Sequence, residues 1–356
     1  MLADDQWLSD LRNSVWQWLL SLSVPSHPGW IRFCSNGALL EPGEKSGLGI
    51  SCLALKTCVM LGLASRLPDN DLRDWALHIK SFQTPEGRYV SFFEDPAVLA
   101  IADRNTGWFK RDVATRRAET RQACATLLSI WETPAHPISY LPKTPGEVRD
   151  YFRVLDWTQP WSAGSHAGHL LFFYGLNAKV FGESQAAEAL LPVTFSEIDR
   201  LQDPETGSWY SRRPGPEQIV NGAMKILTGY AFLDKPFRYP ERLIDTCLAV
   251  ANDKHGCSNA DVIYVLHQCA RHTSHRKHEI EGYFQRRIKA IERFRRTDGA
   301  FSFFAGGAQT HYYGVPVSRG LPVSDVHGTT LFVWTLVMIG DLLGYNSGLG
   351  WQLPVT

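Results

Sequence analysis

Six stretches rich in small and apolar residues recur along the chain, and helices charged on one face lie between them. The six are SGLGISCLALKTCVMLGL (46–63), AETRQACATLLSIW (118–131), SAGSHAGHLLFFYGL (162–176), IVNGAMKILTGYAFL (219–233), SNADVIYVLHQCA (258–270) and SDVHGTTLFVWTLVMIGDLLG (324–344). Most open on Ser, Asn, Asp or Gly, the residues that cap a helix start. Segments such as 71–82, 186–195 and 283–296 carry charge on one side only, as helices facing water do. Buried helices alternating with amphipathic ones predict an all-α (α/α)6 toroid with six inner and six outer helices. An irregular solenoid without a central cavity would show the same alternation.

Three turns repeat a pattern. FQTPEGRYV places Gln83, Gly87 and Tyr89; LQDPETGSWY places Gln202, Gly207 and Trp209; FRRTDGAFSF places Arg295, Gly299 and Phe301. Each glycine suits a left-handed turn, and each aromatic can fold back over the preceding helix.

The chain has 356 residues, and no low-complexity linker or shift in composition divides it. One domain over 1–356 is expected, with a helix within residues 1–25 packing on the outside. Lysine plus arginine equals aspartate plus glutamate at 36 each, so nothing points to nucleic acid or an anionic membrane. Seven cysteines without a C-x-x-C pair read as reduced thiols in a cytoplasmic protein. No apolar run suggests a membrane span.

The glycine turns are similar to the repeat of the squalene/oxidosqualene cyclase and protein-prenyltransferase superfamily. That resemblance implies the toroid, with an active site where the inner helices converge. Sterol cyclases carry V-S-D-C-T-A-E, whose aspartate protonates the substrate, and bacterial relatives carry D-x-D-D. Here Val323-Ser324-Asp325-Val326-His327-Gly328 puts Asp325 at the acid's position, with Val326 in place of the cysteine. The prenyltransferase zinc site would draw on Asp261 and His327, but Ile263 replaces its cysteine. No metal and no cofactor are therefore expected.

The inner-helix starts also collect polar residues: Glu119 and Arg121; Ser165, His166 and His169; Asn221 and Lys225; Asn259 and Asp261; Asp325 and His327. Such groups are costly to bury unless paired or used. Asp325 either caps its helix or supplies an acid, and His327 either braces it or moves a proton. His166 and His169 share a helix face and line either pocket or core. Lys225 and Arg121 either snorkel to water, pair with acids such as Asp261 or Glu119, or hold an anionic group. Arg116 and Arg117 read as a solvated loop. GGAQTHYYGVPVSRG (306–320) reads as a lid or pocket rim from which His311, Tyr312 and Tyr313 could reach the site.

Three functions follow as expectations. The first, implied by the resemblance, is a cyclase or isomerase acting on an isoprenoid. Asp325, His327 and Asp261 would do acid chemistry, and Arg121, Glu119, His166, His169, Asn221, Lys225, Tyr312 and Tyr313 would bind substrate. The second is a carbohydrate-active lyase, epimerase or hydrolase, suggested by a rim more polar than a hydrocarbon needs. Some α/α-toroid lyases and glycosidases use Tyr and His beside Arg or Asn that neutralise a uronate. The third is a non-catalytic binding scaffold.

Overall fold

The computed structural model describes residues 6–85, 91–102, 111–250 and 253–356. Its helices are α1 (Gln6–Leu22), α2 (Leu48–Met60), α3 (Asp69–Lys80), α4 (Pro96–Ala102), α5 (Arg111–Leu128), α6 (Pro145–Arg153) and α7 (Pro160–Phe181). They continue as α8 (Ser184–Asp199), α9 (Pro216–Phe232), α10 (Pro240–Ala249), α11 (Gly256–Ala270), α12 (Lys277–Ile291), α13 (Val326–Leu343) and α14 (Asn346–Leu349). Two short antiparallel strands, β1 (His311–Tyr312) and β2 (Val315–Pro316), make a hairpin between α12 and α13.

Helices α2, α5, α7, α9, α11 and α13 touch in that order, and α13 returns to α2. The contacts close a ring. Helices α1, α3, α6, α8, α10 and α12 alternate with these six in sequence and form the outer layer. The fold is an (α/α)6 toroid, as the alternation predicts. Helix α1 is one of the outer six, its Trp7 edge-on to Phe301 at a centroid distance of 6.4 Å. Helix α5 starts at Arg111, earlier than the composition marks it.

An inner helix has neighbours on both sides and an outer helix behind, so its sequence is apolar nearly all round. All 13 residues of α2 are buried. Helix α13 is apolar and long enough to cross a membrane, with mean hydropathy 1.5 over 18 residues, and 67% of it is buried inside the ring. Polar residues such as Thr329, Thr330 and Asp341 interrupt it, and a helix enclosed by a ring meets the same apolar demand as a membrane span.

Helices α7 and α9 approach most closely, through glycines. A Cβ on Gly164 would lie 2.8 Å from the Gly222 carbonyl oxygen, and one on Gly168 would run into the Lys225 carbonyl. This approach fixes Lys225 relative to the histidines of α7.

The repeated turns each form one antiparallel bridge between the polar residue and an aromatic: Gln83 with Phe93, Gln202 with Trp209, Arg295 with Phe301. In the first turn the aromatic partner is Phe93, not Tyr89; Gly87 and Tyr89 lie outside the described residues. Gln83 Nε2 donates to the Ser91 and His136 carbonyls at 2.9 and 2.8 Å. Gln202 Nε2 donates to those of Gly207 and Arg238 at 2.8 and 2.6 Å. In these two turns the amide ties the turn to the loop of the next helical pair. Gly207 and Gly299 have φ of 74° and 102°, the left-handed region expected of them.

The chain after α14 crosses the end of the ring opposite the inner-helix starts. Gln352 donates to the Met60 carbonyl from its backbone and the Val59 carbonyl from its side chain, both at 3.0 Å. Val355 N donates to Ser129 Oγ at 3.0 Å, and the Thr356 hydroxyl meets that of Tyr264 at 3.4 Å.

Candidate active site

Arg121, Asn221, Lys225, Tyr313 and His327 keep part of their surface accessible although they stand among the inner helices. These accessible polar groups mark the end of the ring where its inner helices start. The β1–β2 hairpin reaches into it. Its two-residue loop is Tyr313–Gly314, with φ of 49° and 82°, the pair of positive values that such a turn needs. Glycine adopts that conformation freely. A tyrosine held there is strained, which marks a constrained position.

Tyr312 and Tyr313 pack together with ring centroids 4.4 Å apart. The Tyr312 hydroxyl and Glu119 Oε1 both stand over Gly49: a Cβ there would lie 2.7 Å from the first and 2.8 Å from the second. Glycine is required at that point by the closeness of the acid and the phenol. Glu119 Oε1 is sealed from solvent and has no hydrogen-bond partner. Burial, and then the nearby Asp95, push Glu119 well above the ordinary carboxylate range, which favours its protonated form.

A second carboxyl, Asp261 on α11, stands across the ring from α5. Asn221, with its amide oriented by its hydrogen bonds, donates to Asp261 Oδ2 at 3.1 Å and to the Glu217 carbonyl at 3.0 Å. Burial raises Asp261 to about 7, against the opposing pull of Lys225. The Lys225 ammonium lies 5.6 Å from the ring of Trp161, a residue 51% exposed at the mouth. On α13, His327 Nδ1–H donates to Gln309 Oε1 at 2.6 Å, which leaves Nε2 as the acceptor. His327 stacks on Phe303 at 5.2 Å and meets Tyr312 edge-on at 5.5 Å. Burial, then Lys225 and His255, lower it to about 3, so it is neutral at pH 7.

Arg121 sits over the Phe172 ring at 5.4 Å, within electrostatic reach of Tyr264 and Tyr313. One turn earlier, Arg117 lies between the rings of Phe92 and Tyr151, at 5.6 and 5.3 Å. His169 feels the charges of Arg121, Lys225 and Arg117, and burial is the larger cause of its strongly lowered pKa. The Ser165 hydroxyl is 3.4 Å from its Nε2. His166 faces away from this group: its Nδ1 is hydrogen-bonded to the Tyr151 hydroxyl at 3.0 Å. Burial and Arg117 lower it to about 3.

Nine of the eleven sequence candidates therefore gather around one space: Glu119, Arg121, His169, Asn221, Lys225, Asp261, Tyr312, Tyr313 and His327. His166 is set behind them. Asp325 is also placed elsewhere than an acid role needs. Its Oδ1 accepts from Gly328 N at 2.7 Å, and its Oδ2 from Phe303 N at 2.7 Å and Gln309 N at 3.1 Å. It is wholly buried, and burial raises it to about 6 while these bonds pull it back. The carboxylate caps α13 and anchors the lid, with neither oxygen left to meet a substrate. Asp95 does the same for α2, accepting from Gly47 N at 2.8 Å and Leu48 N at 3.0 Å.

The sequence reading missed Arg117, Lys56, Trp161 and Gln309. Arg116 and Arg117 are buried, not solvated: Arg116 pairs with Glu94 at 3.0 Å. The signal for Arg117 is its spacing of four from Arg121, which puts both on one helix face. Lys56 on α2 donates to Gln122 Oε1 at 3.3 Å, and burial followed by Arg121 lowers it to about 7. All seven cysteines are free thiols, and Cys257, one turn before Asp261, is pushed up to about 12 by burial. No group of three or more His, Cys, Asp or Glu able to hold a metal occurs among the described residues.

No family model matches the sequence, and no curated protein matches it either. Among solved structures the chain is similar to the family 76 α-1,6-mannanase of Salegentibacter sp. HEL1_6. The TM-score is 0.47 and the identity 9%, over 94% of this chain and 99% of that one. A family 76 α-mannanase of Bacteroides thetaiotaomicron gives a TM-score of 0.43 and 10% identity over 97% of each chain. A polysaccharide lyase gives 0.44 and 10%, over 97% of this chain and 99% of that one. The expected terpenoid-cyclase or prenyltransferase activity is corrected by the site itself. Physically, ionic and hydrogen-bonding groups stand among the aromatic rings at the inner-helix starts, and the residue at the cyclase acid position is a helix cap.

Proposed function

We propose that the protein is a carbohydrate-active enzyme performing acid–base chemistry at a glycosidic linkage inside the ring. The observation that carries this reading is a pair of buried carboxyls, Glu119 and Asp261, on inner helices that stand across the ring from each other. Both have pKa values raised by burial. Two carboxyls on opposite helices whose protonated forms are favoured by burial suit proton donation to a glycosidic oxygen on one side and proton acceptance on the other. In this reading Glu119 is the acid, and Asp261, steadied by Asn221, is the base. The neutral His327, through Nε2, and the hydroxyls of Tyr312 and Tyr313 bind sugar hydroxyls. Half-exposed Trp161 offers a flat face for a sugar ring at the mouth. The ligand is a sugar and not an isoprenoid, since a hydrocarbon would leave these donors and acceptors unpaired.

The test is a panel of neutral and acidic oligosaccharides assayed for new reducing ends, with ultraviolet absorbance distinguishing elimination from hydrolysis. Glu119→Gln keeps the side-chain shape and is expected to lower turnover by roughly 100-fold or more, with Asp261→Asn falling similarly. Full turnover in both variants, or no cleavage of any glycan, would overturn the proposal.

A further inference from the structure

We infer that the sugar substrate is acidic, and that its anionic group is held in the middle of the ring by Arg121 and Lys225 with Arg117 behind them. The inference rests on the carbohydrate reading above and adds the substrate class to it. Four guanidinium nitrogens in the ring find no acceptor: Nε and Nη2 of Arg121, Nε and Nη1 of Arg117. Arg117 is 4% exposed. Its Nη2 donates to the Tyr140 carbonyl at 3.4 Å. The Lys225 ammonium has an indole face for company, at 5.6 Å, and no carboxylate within ion-pairing distance among the described residues.

The neighbouring acids do not neutralise this group. Asp95 and Asp325 are spent on backbone N–H groups. Glu119 is driven toward its neutral form, and Asp261 stands alone near Lys225. The imidazoles of His166, His169 and His327 are held neutral, in part by the same cations. Guanidinium groups do not relieve the strain by losing a proton. Guanidinium nitrogens sealed from water without an acceptor are costly, and the cost is removed when an anion supplies the missing charge and acceptors. A carboxylate and a sulfate or phosphate ester share this chemistry. Arg121, with two free N–H groups, suits either as a bidentate partner.

Calorimetric titration of the full chain separates the possibilities. The ligands are a neutral hexose trisaccharide, the corresponding uronate trisaccharide, the same trisaccharide bearing sulfate esters, and inorganic sulfate alone. At least one acidic trisaccharide is expected to bind at least tenfold more tightly than the neutral one, and its affinity to fall with added salt. The uronate and sulfate-ester arms tell which anion the site prefers. Arg121→Gln and, independently, Lys225→Gln are expected to remove tenfold or more of that affinity and flatten the salt dependence, with Arg121→Lys restoring part of it. Melting curves confirm that each variant folds. Equal affinity for neutral and acidic trisaccharides, unchanged in both Gln variants, overturns the inference and leaves the carbohydrate reading in place. Sulfate binding with no binding of any saccharide overturns the carbohydrate reading, and the substrate class with it.

Discussion

Asp325 shows how the same residue reads differently in sequence and in space. An aspartate before an apolar helix is a cap by default and an acid by resemblance; the three backbone N–H groups around it decide for the cap. Asp325→Ala leaves those donors buried without an acceptor, which is expected to cost about 3 kcal/mol or more. Urea unfolding measures this, and an unchanged midpoint would contradict the anchoring role. Asp261 lends itself to a pH experiment. Its folded pKa, about 7, lies above the ordinary 3.8. Below 3.8 both states are protonated; as pH rises toward 7 the unfolded chain gives up its proton first, so this residue's share of stability is lost across that window. Asp261→Asn has no such loss, and its stability relative to the parent is expected to climb between pH 4 and 7. A flat difference would mean that Asp261 is not strained by burial. Most of the pocket's polar residues were legible because a charge inside an apolar helix has few uses. Arg117 and Trp161 were not: a run of arginines looks like surface, and an aromatic at a helix start looks like core.

At the scale of elements, apolar periodicity and capping residues gave all six inner helices, because burial on every side leaves a composition that no loop or outer helix shares. Their ends were less legible. Helix α5 starts within a polar run, and its early turns are ordered by contacts such as Arg116 with Glu94 that no local pattern announces. The α7–α9 contact is where element and site meet. Gly168→Ala would push its methyl into the Lys225 carbonyl. The expected result is a loss of roughly 3 kcal/mol, along with displacement of Lys225. Gly182→Ala, in a left-handed cap with nothing nearby, is expected to cost only about 1 kcal/mol. Thermal or urea unfolding of the pair checks the contrast; equal losses would mean that the helices can separate freely. That the 306–320 loop brings Tyr312 beside the inner helices was foreseen from its glycines and tyrosines, but the strained Tyr313 was not, since backbone conformation at a single residue has no periodic signature.

For the whole molecule, closure is the property that collects the site. Residues from Glu119 to His327 meet only because α13 returns to α2. The segment after α14 binds α2, α5 and α11 together at the far end through four hydrogen bonds. Deleting residues 352–356 is expected to cost roughly 2–4 kcal/mol while leaving affinity for ligands at the mouth unchanged. A loss of binding equal to the loss of stability would show that the two ends of the ring are coupled.

One contact in this ring differs from the other five. Between α2 and α13 the Thr57 and Thr330 hydroxyls meet at 2.9 Å, and Thr330 also reaches the Leu53 carbonyl at 3.1 Å, across some 270 positions of chain. During synthesis the first five staves leave the ribosome with this seam gaping. The apolar flanks of α2 and α11 stay wet until the sixth emerges. Such a protein is most vulnerable to aggregation in the last moments of translation, and a nascent chain stalled before α13 is the species a chaperone would be called to shelter.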